Sequence, residues 1–287
     1  MALIHTIDHP VVSGVRLGPV NRKGQYNLIT SCIVYQLGDT TIDTGPPREW
    51  RYLQAFLAGK TVRQVALTHH HEDHSGNGHQ LQKEFGSTIY SHNNNHELLA
   101  KGLRLSPIRR ATFGNVKPFT PSPLPAFIET NCGKRLQAIH TPGHTNDLVC
   151  YLEPDEGWLF TGDLYVSSKL KYMTVAEDIG DWISSLTAVL ELGFDTLFCS
   201  HRAVVNNGKA VLAEKLDFFQ EMKERVNTLW QRGDSPKQIR KRLLGNEDIV
   251  SLMSGLHMSK QKIIDSCLDD LQRQQISASD IKGSHRQ

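Results

Sequence analysis

Five of the chain's 14 histidines, His69, His70, His71, His74 and His79, fall within eleven residues. The run Thr68-His69-His70-His71-Glu72-Asp73-His74 follows an apolar stretch, Val62 to Thr68, that predicts a strand ending at the cluster. Side chains two apart on an extended segment project to one side, so His69 and His71 can meet one metal ion. Asp73 and His74 lie just beyond, where a turn can aim them at a second. Imidazoles mixed with a carboxylate suit Zn²⁺, with Mn²⁺ or iron as alternatives.

The pattern His69-x-His71-x-Asp73-His74 resembles the defining motif of the metallo-β-lactamase-fold hydrolases, and only this register of the histidine run fits it. Four further segments resemble that family in its order. Ile42-Asp43-Thr44-Gly45 is similar to its second-strand ending, and Thr141-Pro142-Gly143-His144-Thr145 to the loop bringing a third histidine to the first metal. Thr161-Gly162-Asp163 is similar to the strand end whose aspartate bridges two ions, and Cys199-Ser200-His201 to the last strand, whose histidine completes the second site.

The resemblance covers about residues 1 to 208. It implies an α/β fold, a four-layer αββα sandwich with two zinc ions at one edge. His69, His71 and His144 would hold the first ion, Asp73, His74 and His201 the second, and Asp163 would bridge. Asp73 and Asp163 would be the catalytic carboxylates, and metal-activated hydroxide would attack the substrate. His70 and Glu72 fall between ligand positions and read as structural support. His79 and His140 read as packing or capping residues.

An aspartate at 163 resembles the glyoxalase II, lactonase and nuclease branches rather than the true β-lactamases. The helical tail resembles that of the β-lactamase-like protein 2 group. Glyoxalase II and the persulfide dioxygenases usually continue with a Gly-Cys-Gly-Arg-type segment. Here the chain reads Leu164-Tyr165-Val166-Ser167-Ser168-Lys169-Leu170-Lys171-Tyr172. In it Tyr165, Lys169, Lys171 and Tyr172 could hold a substrate, a phenol donating to an oxyanion and an ammonium pairing with a carboxylate or phosphate. The same residues read equally well as a solvated Lys-rich loop.

The expected function is hydrolysis of a carboxylic ester, thioester or lactone. The alternative is a metal-dependent ribonuclease or phosphodiesterase using the same ions, and a third reading is a non-catalytic binding scaffold. For RNA stand Lys101, Arg104, Arg109, Arg110 and Lys117, with Arg240-Lys241-Arg242 in the tail. Against it stands a formal net charge of only +2, from 32 basic and 30 acidic residues. A small acyl substrate is therefore the expected partner, nucleic acid is disfavoured, and a homodimer is left open.

The elements that must position these residues are short strands alternating with helices over the first two hundred residues. Strands are expected at 27–36, 40–43, 62–68, 88–91, 135–140, 147–152, 157–161 and 196–200, and helices at 50–57, 81–85 and 182–192. Residues 101–130, with Pro118, Pro121, Pro123 and Pro125, read as an irregular connection. Two regions follow from this, a catalytic domain at 1–208 and a small all-α region at 209–287. In the latter, helices at 211–230, 237–244 and after Ser259 precede a fraying polar end from Ser277 to Gln287. No basic-then-apolar leader stands at the N-terminus and no apolar run approaches the ~18 residues of a membrane span. The five scattered cysteines lack a Cys-x-x-Cys pair, so the expectation is a reduced, cytoplasmic protein without a membrane partner.

Overall fold

A computed structural model describes residues 5–284; Met1–Ile4 and the last three residues of the polar end lie outside the described part. Thirteen strands form two sheets. The first runs β1 (His5–Asp8), β2 (Val12–Leu17), β3 (Cys32–Leu37), β4 (Thr40–Ile42), β5 (Gln64–Ala66), β6 (Thr88–Ser91) and β7 (Ser122–Pro123), in chain order. It is antiparallel as far as β4 and parallel from there to β7. The second comprises β8 (Phe127–Glu129), β9 (Arg135–His140), β10 (Val149–Glu153), β11 (Trp158–Gly162), β12 (Thr196–Cys199) and β13 (Ala203–Val205), with β11 and β12 parallel.

The helices are α1 (Trp50–Leu57), α2 (Glu72–Ser75), α3 (Gly78–Phe85), α4 (His96–Lys101), α5 (Pro107–Phe113), α6 (Ile179–Leu190), α7 (Gly208–Gln231), α8 (Pro236–Leu244), α9 (Ile249–Met253) and α10 (Lys260–Ser284).

Apolar side chains of both sheets meet in one buried layer. Ile33, Tyr35, Leu37 and Ile42 of the first sheet pack with Val149, Tyr151, Phe160 and Phe198 of the second. The outer face of the first sheet, through Val15, Val34, Val65 and Ile89, takes Leu53 and Leu57 of α1, Leu81 of α3 and Leu99 of α4. The sheets are also joined by polar bonds. Tyr35 Oη donates to the Cys199 carbonyl at 2.8 Å and Tyr151 Oη to the Leu67 carbonyl at 2.7 Å. Backbone bonds cross as well, from Ile33 N–H to the Ser200 carbonyl (2.7 Å) and from Val149 N–H to the Thr68 carbonyl (2.9 Å). Each of these four bonds ends on, or one residue from, a segment that carries proposed ligands.

Three expectations change, on one strand, on one connection and on the polar end, where α10 runs on to Ser284 instead of fraying from Ser277. The strand expected at 27–36 starts only at Cys32, because Asn27 Oδ1 accepts the Ile29 N–H at 2.8 Å and folds residues 27–31 into a turn. Residues 101–130 are not irregular throughout. Ser106 accepts the Arg109 N–H and Pro107 opens α5, while Pro123 fits β7 because that strand is a sheet edge. The strands β1 and β2 carry no strong alternation to announce them; their pattern is broken by Gly14 and Arg16.

The chain divides into two compact units. One holds the residues up to His140 with 147–166 and 193–209, and so contains both sheets. The other joins 141–146 and 167–192 to the chain from Ala210 onward. Inside this second unit α6 packs on α10, with the Ile179 N–H donating to Ser266 Oγ at 2.9 Å. Trp182 lies against Phe219 with ring centroids 5.5 Å apart. Ser235 and Gln238 form a reciprocal cap on α8, with Pro236 at its first position.

The start of α10 is capped from a distance. The Glu247 carboxylate accepts Ser259 Oγ at 2.8 Å and the N–H groups of Lys260 and Gln261 at 3.1 and 2.9 Å. Burial works to raise this carboxyl, but the neighbouring Ser251 hydroxyl and the bonds from Lys260, Ser259 and Gln261 hold it down at about 2. A depressed carboxyl stabilises the fold above its unfolded value of ~4.3 and loses that contribution as pH falls toward the folded value. Glu247→Gln should therefore cost ~1–2 kcal/mol at neutral pH, in the range of a lost cap. Urea unfolding from pH 7 to pH 3 should show the gap between wild type and variant narrowing below about pH 4.3.

Candidate metal centre

The first sheet delivers the cluster where β5 ends. Leu67 N–H still bonds the Tyr90 carbonyl at 3.0 Å, so the chain stays extended to Thr68 before α2 turns it. Beneath this corner lies Asp43, wholly buried, at the end of β4 with φ of +63°. One Asp43 oxygen accepts both the Thr68 N–H and Thr68 Oγ1 at 2.8 Å. The other lies 2.7 Å from His74 Nδ1 and 3.4 Å from Ser200 Oγ. Thr44 adds two bonds to the His74 carbonyl, from N–H (2.7 Å) and Oγ1 (2.8 Å).

These contacts select which ring nitrogens face the site. With a carboxylate at Nδ1, His74 presents Nε2, which is buried and turned toward Asp163 Oδ1. His201 Nδ1 meets the Ser31 carbonyl at 2.7 Å and likewise presents Nε2. Thr68 Oγ1 lies 3.1 Å from His69 Nδ1, leaving His69 Nε2 toward His71 Nδ1 at 3.1 Å. An acceptor at one ring nitrogen is the usual way a metal-binding imidazole is held in the right tautomer.

The ligand atoms converge on two spots. His69, His71 and Asp163 offer atoms within 4.8 Å of one another, and so do Asp73, His74 and His201. Asp163 Oδ1 is 3.3 Å from His74 Nε2 and 2.8 Å from His201 Nε2, so this carboxylate faces both groups. Burial alone would push the Asp163 carboxyl up, yet His201 and His74 beside it hold it well below the usual carboxylate range. Burial likewise works to lower His201, and Asp163 and Asp73 overcome it and raise that imidazole. Buried carboxylates and ring nitrogens that converge in this way fit a divalent metal ion between them. Cys32 Sγ lies 3.8 Å from His74 Nδ1, but burial pushes its thiol up to about 12, so it packs as a neutral group.

His144 belongs to the second unit. There its Nδ1 lies 3.1 Å from Glu177 Oε1, the same acceptor arrangement as at His74 and His201. Its loop is held by α6. Ser185 Oγ donates to the Pro142 carbonyl at 2.6 Å, and Gly143, at φ +140°, lies so close to Trp182 that a Cβ would come within 2.8 Å of the backbone. Sequence reasoning passed over Glu177, whose only signal is a carboxylate one turn before α6.

Two more supports were missed. Asp147, wholly buried, accepts the His70 N–H at 2.9 Å and Asn95 Nδ2 at 2.7 Å, and lies 2.8 Å from His70 Nδ1. It fixes the loop between His69 and His71 and accounts for His70 as structural. Arg16 donates to the His201 carbonyl at 2.8 Å. His79 Nδ1 meets the Pro118 carbonyl at 2.8 Å, a packing role as expected. Of the residues read as substrate contacts, Tyr165 is buried, with its carbonyl accepting Cys199 Sγ, and Lys169 is exposed. In the second unit Tyr172 Oη donates to Asp248 at 2.6 Å and Lys171 Nζ lies 3.0 Å from it, so both polar ends are already engaged.

The model of the Metallo-beta-lactamase superfamily matches residues 27–201. An atrochrysone carboxyl ACP thioesterase from Aspergillus fumigatus is 26% identical over 267 residues, covering 85% of this chain and 56% of that protein. A hydroxyacylglutathione hydrolase from Shewanella baltica is 31% identical over 157 residues, covering 53% and 52%. The chain thus spans little more than half the length of these curated relatives. Among solved structures, a metallo-beta-lactamase family protein from Thermus thermophilus superposes with a TM-score of 0.69 at 19% identity, over 93% of this chain and 94% of that one. The architecture is accordingly the αββα sandwich with added C-terminal helices.

Asp43→Asn keeps the volume but replaces an acceptor with a donor-bearing amide opposite His74. Metal affinity, measured by chelator competition, should fall by ~10–100-fold, the usual cost of losing such a supporting partner. An unchanged affinity would remove Asp43 from that role.

Proposed function

The chain belongs to the metallo-beta-lactamase superfamily, and on that premise we propose that it is a binuclear metal-dependent hydrolase acting on a small acyl substrate, with a thioester favoured among the ester, thioester and lactone bonds. The observation that carries this reading is the place of Asp163, whose carboxylate faces His69 and His71 on one side and His74 and His201 on the other. In the proposal His69, His71 and His144 hold one ion, Asp73, His74 and His201 the other, and Asp163 bridges. His144 enters through the resemblance of its loop and through the acceptor at its Nδ1. Zinc is the favoured metal for this donor set, with manganese or iron as alternatives.

Bound ions would polarise the substrate carbonyl and acidify the attacking water. The chain's own residues supply the rest. Asp43, Ser31 and Thr68 keep the ligand nitrogens lone-pair outward. Asp73 and Asp163, at 8% and 9% exposure, would offer their carboxylate oxygens to the bound ions and balance their charge out of reach of bulk water. Any substrate contact made by Lys171 or Tyr172 would cost their hold on Asp248. The thioester preference draws support from the two relatives, which are named for cleaving an acyl-carrier thioester and an acyl-glutathione.

Half of the eight basic residues that favoured RNA are engaged within the protein. Lys101 pairs with Glu97, Arg109 with the buried Glu72, and Arg242 with Asp234 at 3.2 Å. Arg240 is buried, bonding the Gly245 carbonyl at 2.6 Å. Among the described residues no helix is long and apolar enough to cross a membrane. No disulfide joins the cysteines of the described residues, in keeping with the reducing, cytoplasmic setting proposed here.

Metal analysis should return about two ions per chain, as expected of a binuclear site. Asp163→Asn should lower turnover by more than the ~10–100-fold typical of a mere supporting partner while leaving the melting profile of the metal-free protein close to wild type. A panel of acyl thioesters and lactones assayed beside single-stranded RNA decides the substrate class. Selective RNA cleavage, lost in the same variant, would overturn the acyl reading.

A further inference from the structure

Glu72 opens α2, with ligand candidates on either side of it in the chain, His71 before and Asp73 after. Its side chain is 1% exposed. Both of its oxygens are taken by one guanidinium, Arg109 Nε to Oε1 at 2.6 Å and Nη2 to Oε2 at 2.5 Å. This is the paired, planar geometry that a lysine cannot reproduce. Arg109 comes from α5, 37 residues away, a helix capped by Ser106 at its start and ended by Gly114 at φ +101°. Gly114 in turn sits against the turn after β4, where a Cβ would lie 3.0 Å from the Arg48 nitrogen.

We infer that Arg109 is a positioning residue of the metal centre: by compensating the buried Glu72 carboxylate it fixes the start of α2 and thereby the aim of Asp73 and His74. The inference rests on the reading of these residues as metal ligands. A desolvated carboxylate cannot stay where it is once its cation is removed. It must turn toward another positive centre or toward water, and in either case it moves the first residue of a four-residue helix whose second and third residues are ligands. The proposed metal site, whose ligand candidates flank Glu72 in the chain, is one such positive centre, so a stranded Glu72 would compete with Asp73 for it. The segment at 101–113 is therefore part of the centre's support, although it carries no ligand.

The test compares four full-length proteins, wild type, Arg109→Met, Arg109→Lys and the double variant Glu72→Met/Arg109→Met, by zinc retention against a chelator and by thermal unfolding of the metal-free forms. Arg109→Met should lose ~10–100-fold in zinc affinity, as supporting partners of metal ligands do. Arg109→Lys should fall between that variant and wild type. The double variant removes the stranded charge together with its partner, an exchange that buried ion pairs commonly tolerate, so it should return to within about threefold of wild type. Wild-type zinc retention in Arg109→Met would overturn the inference, as would a double variant that stays as impaired as the single one. A wild type that binds no zinc, manganese or iron would overturn the metal-centre reading and this inference together. A wild type that binds metal but cleaves no acyl substrate would overturn only the substrate assignment.

Discussion

A carboxylate at zero exposure, Asp43, holds the corner on which the proposed centre depends. Its two oxygens receive donors from the strand end before the cluster and meet a histidine within it. Burying such a charge is costly unless every lone pair is used, and the requirement works as a specification. Thr68 must be extended, His74 must present one particular nitrogen, and β4 must end in a left-handed turn at Asp43 itself. The same economy recurs at Asp147 and Glu72, also buried carboxylates, which hold the two residues' worth of chain between the ligand positions.

The second constraint is that the proposed ligands come from both sheets. His69, His71, Asp73 and His74 follow β5, whereas Asp163 follows β11 and His201 follows β12. Their spacing is set by how the sheets meet. Two phenols and two backbone bonds fasten the sheets close to where these segments emerge. Phe160 and Phe198, stacked with centroids 4.7 Å apart, fill the layer behind them. Hydrophobic burial brings the layers together, but it is non-directional; the directional bonds at this edge fix where each ligand stands.

The candidate ligands could be picked out in the sequence because metal chemistry tolerates few residue types and the motif segments are short and contiguous, and the structure brings His69, His71 and Asp163 together, and Asp73, His74 and His201. Helices closed by plain signals were legible too. Trp50–Leu57 is found as read, and Gly86, at φ +67°, ends α3 in the left-handed conformation its position suggested. The supports were not legible, since Asp147, Arg16 and Arg109 act on residues 77, 185 and 37 positions away. An isolated aspartate or arginine looks the same in a sequence whether it is solvated or pinned to a backbone amide. The turn at 27–31 was hidden for a different reason. Its residues are as β-branched as a strand, and one asparagine side chain decides otherwise.

The cross-sheet stitching at the ligand edge has a kinetic consequence. A metal site made from adjacent residues can gather its ion early and use it to guide the chain. Here the donors on the second sheet stand about a hundred residues beyond those on the first, and closing so long a loop is an entropic cost met only when the sheets dock. Docking is also what forms the bonds from Tyr35 and Tyr151. The order of events is therefore set by the topology: the sandwich must close before the proposed site exists, so any cation would enter a centre whose walls already stand.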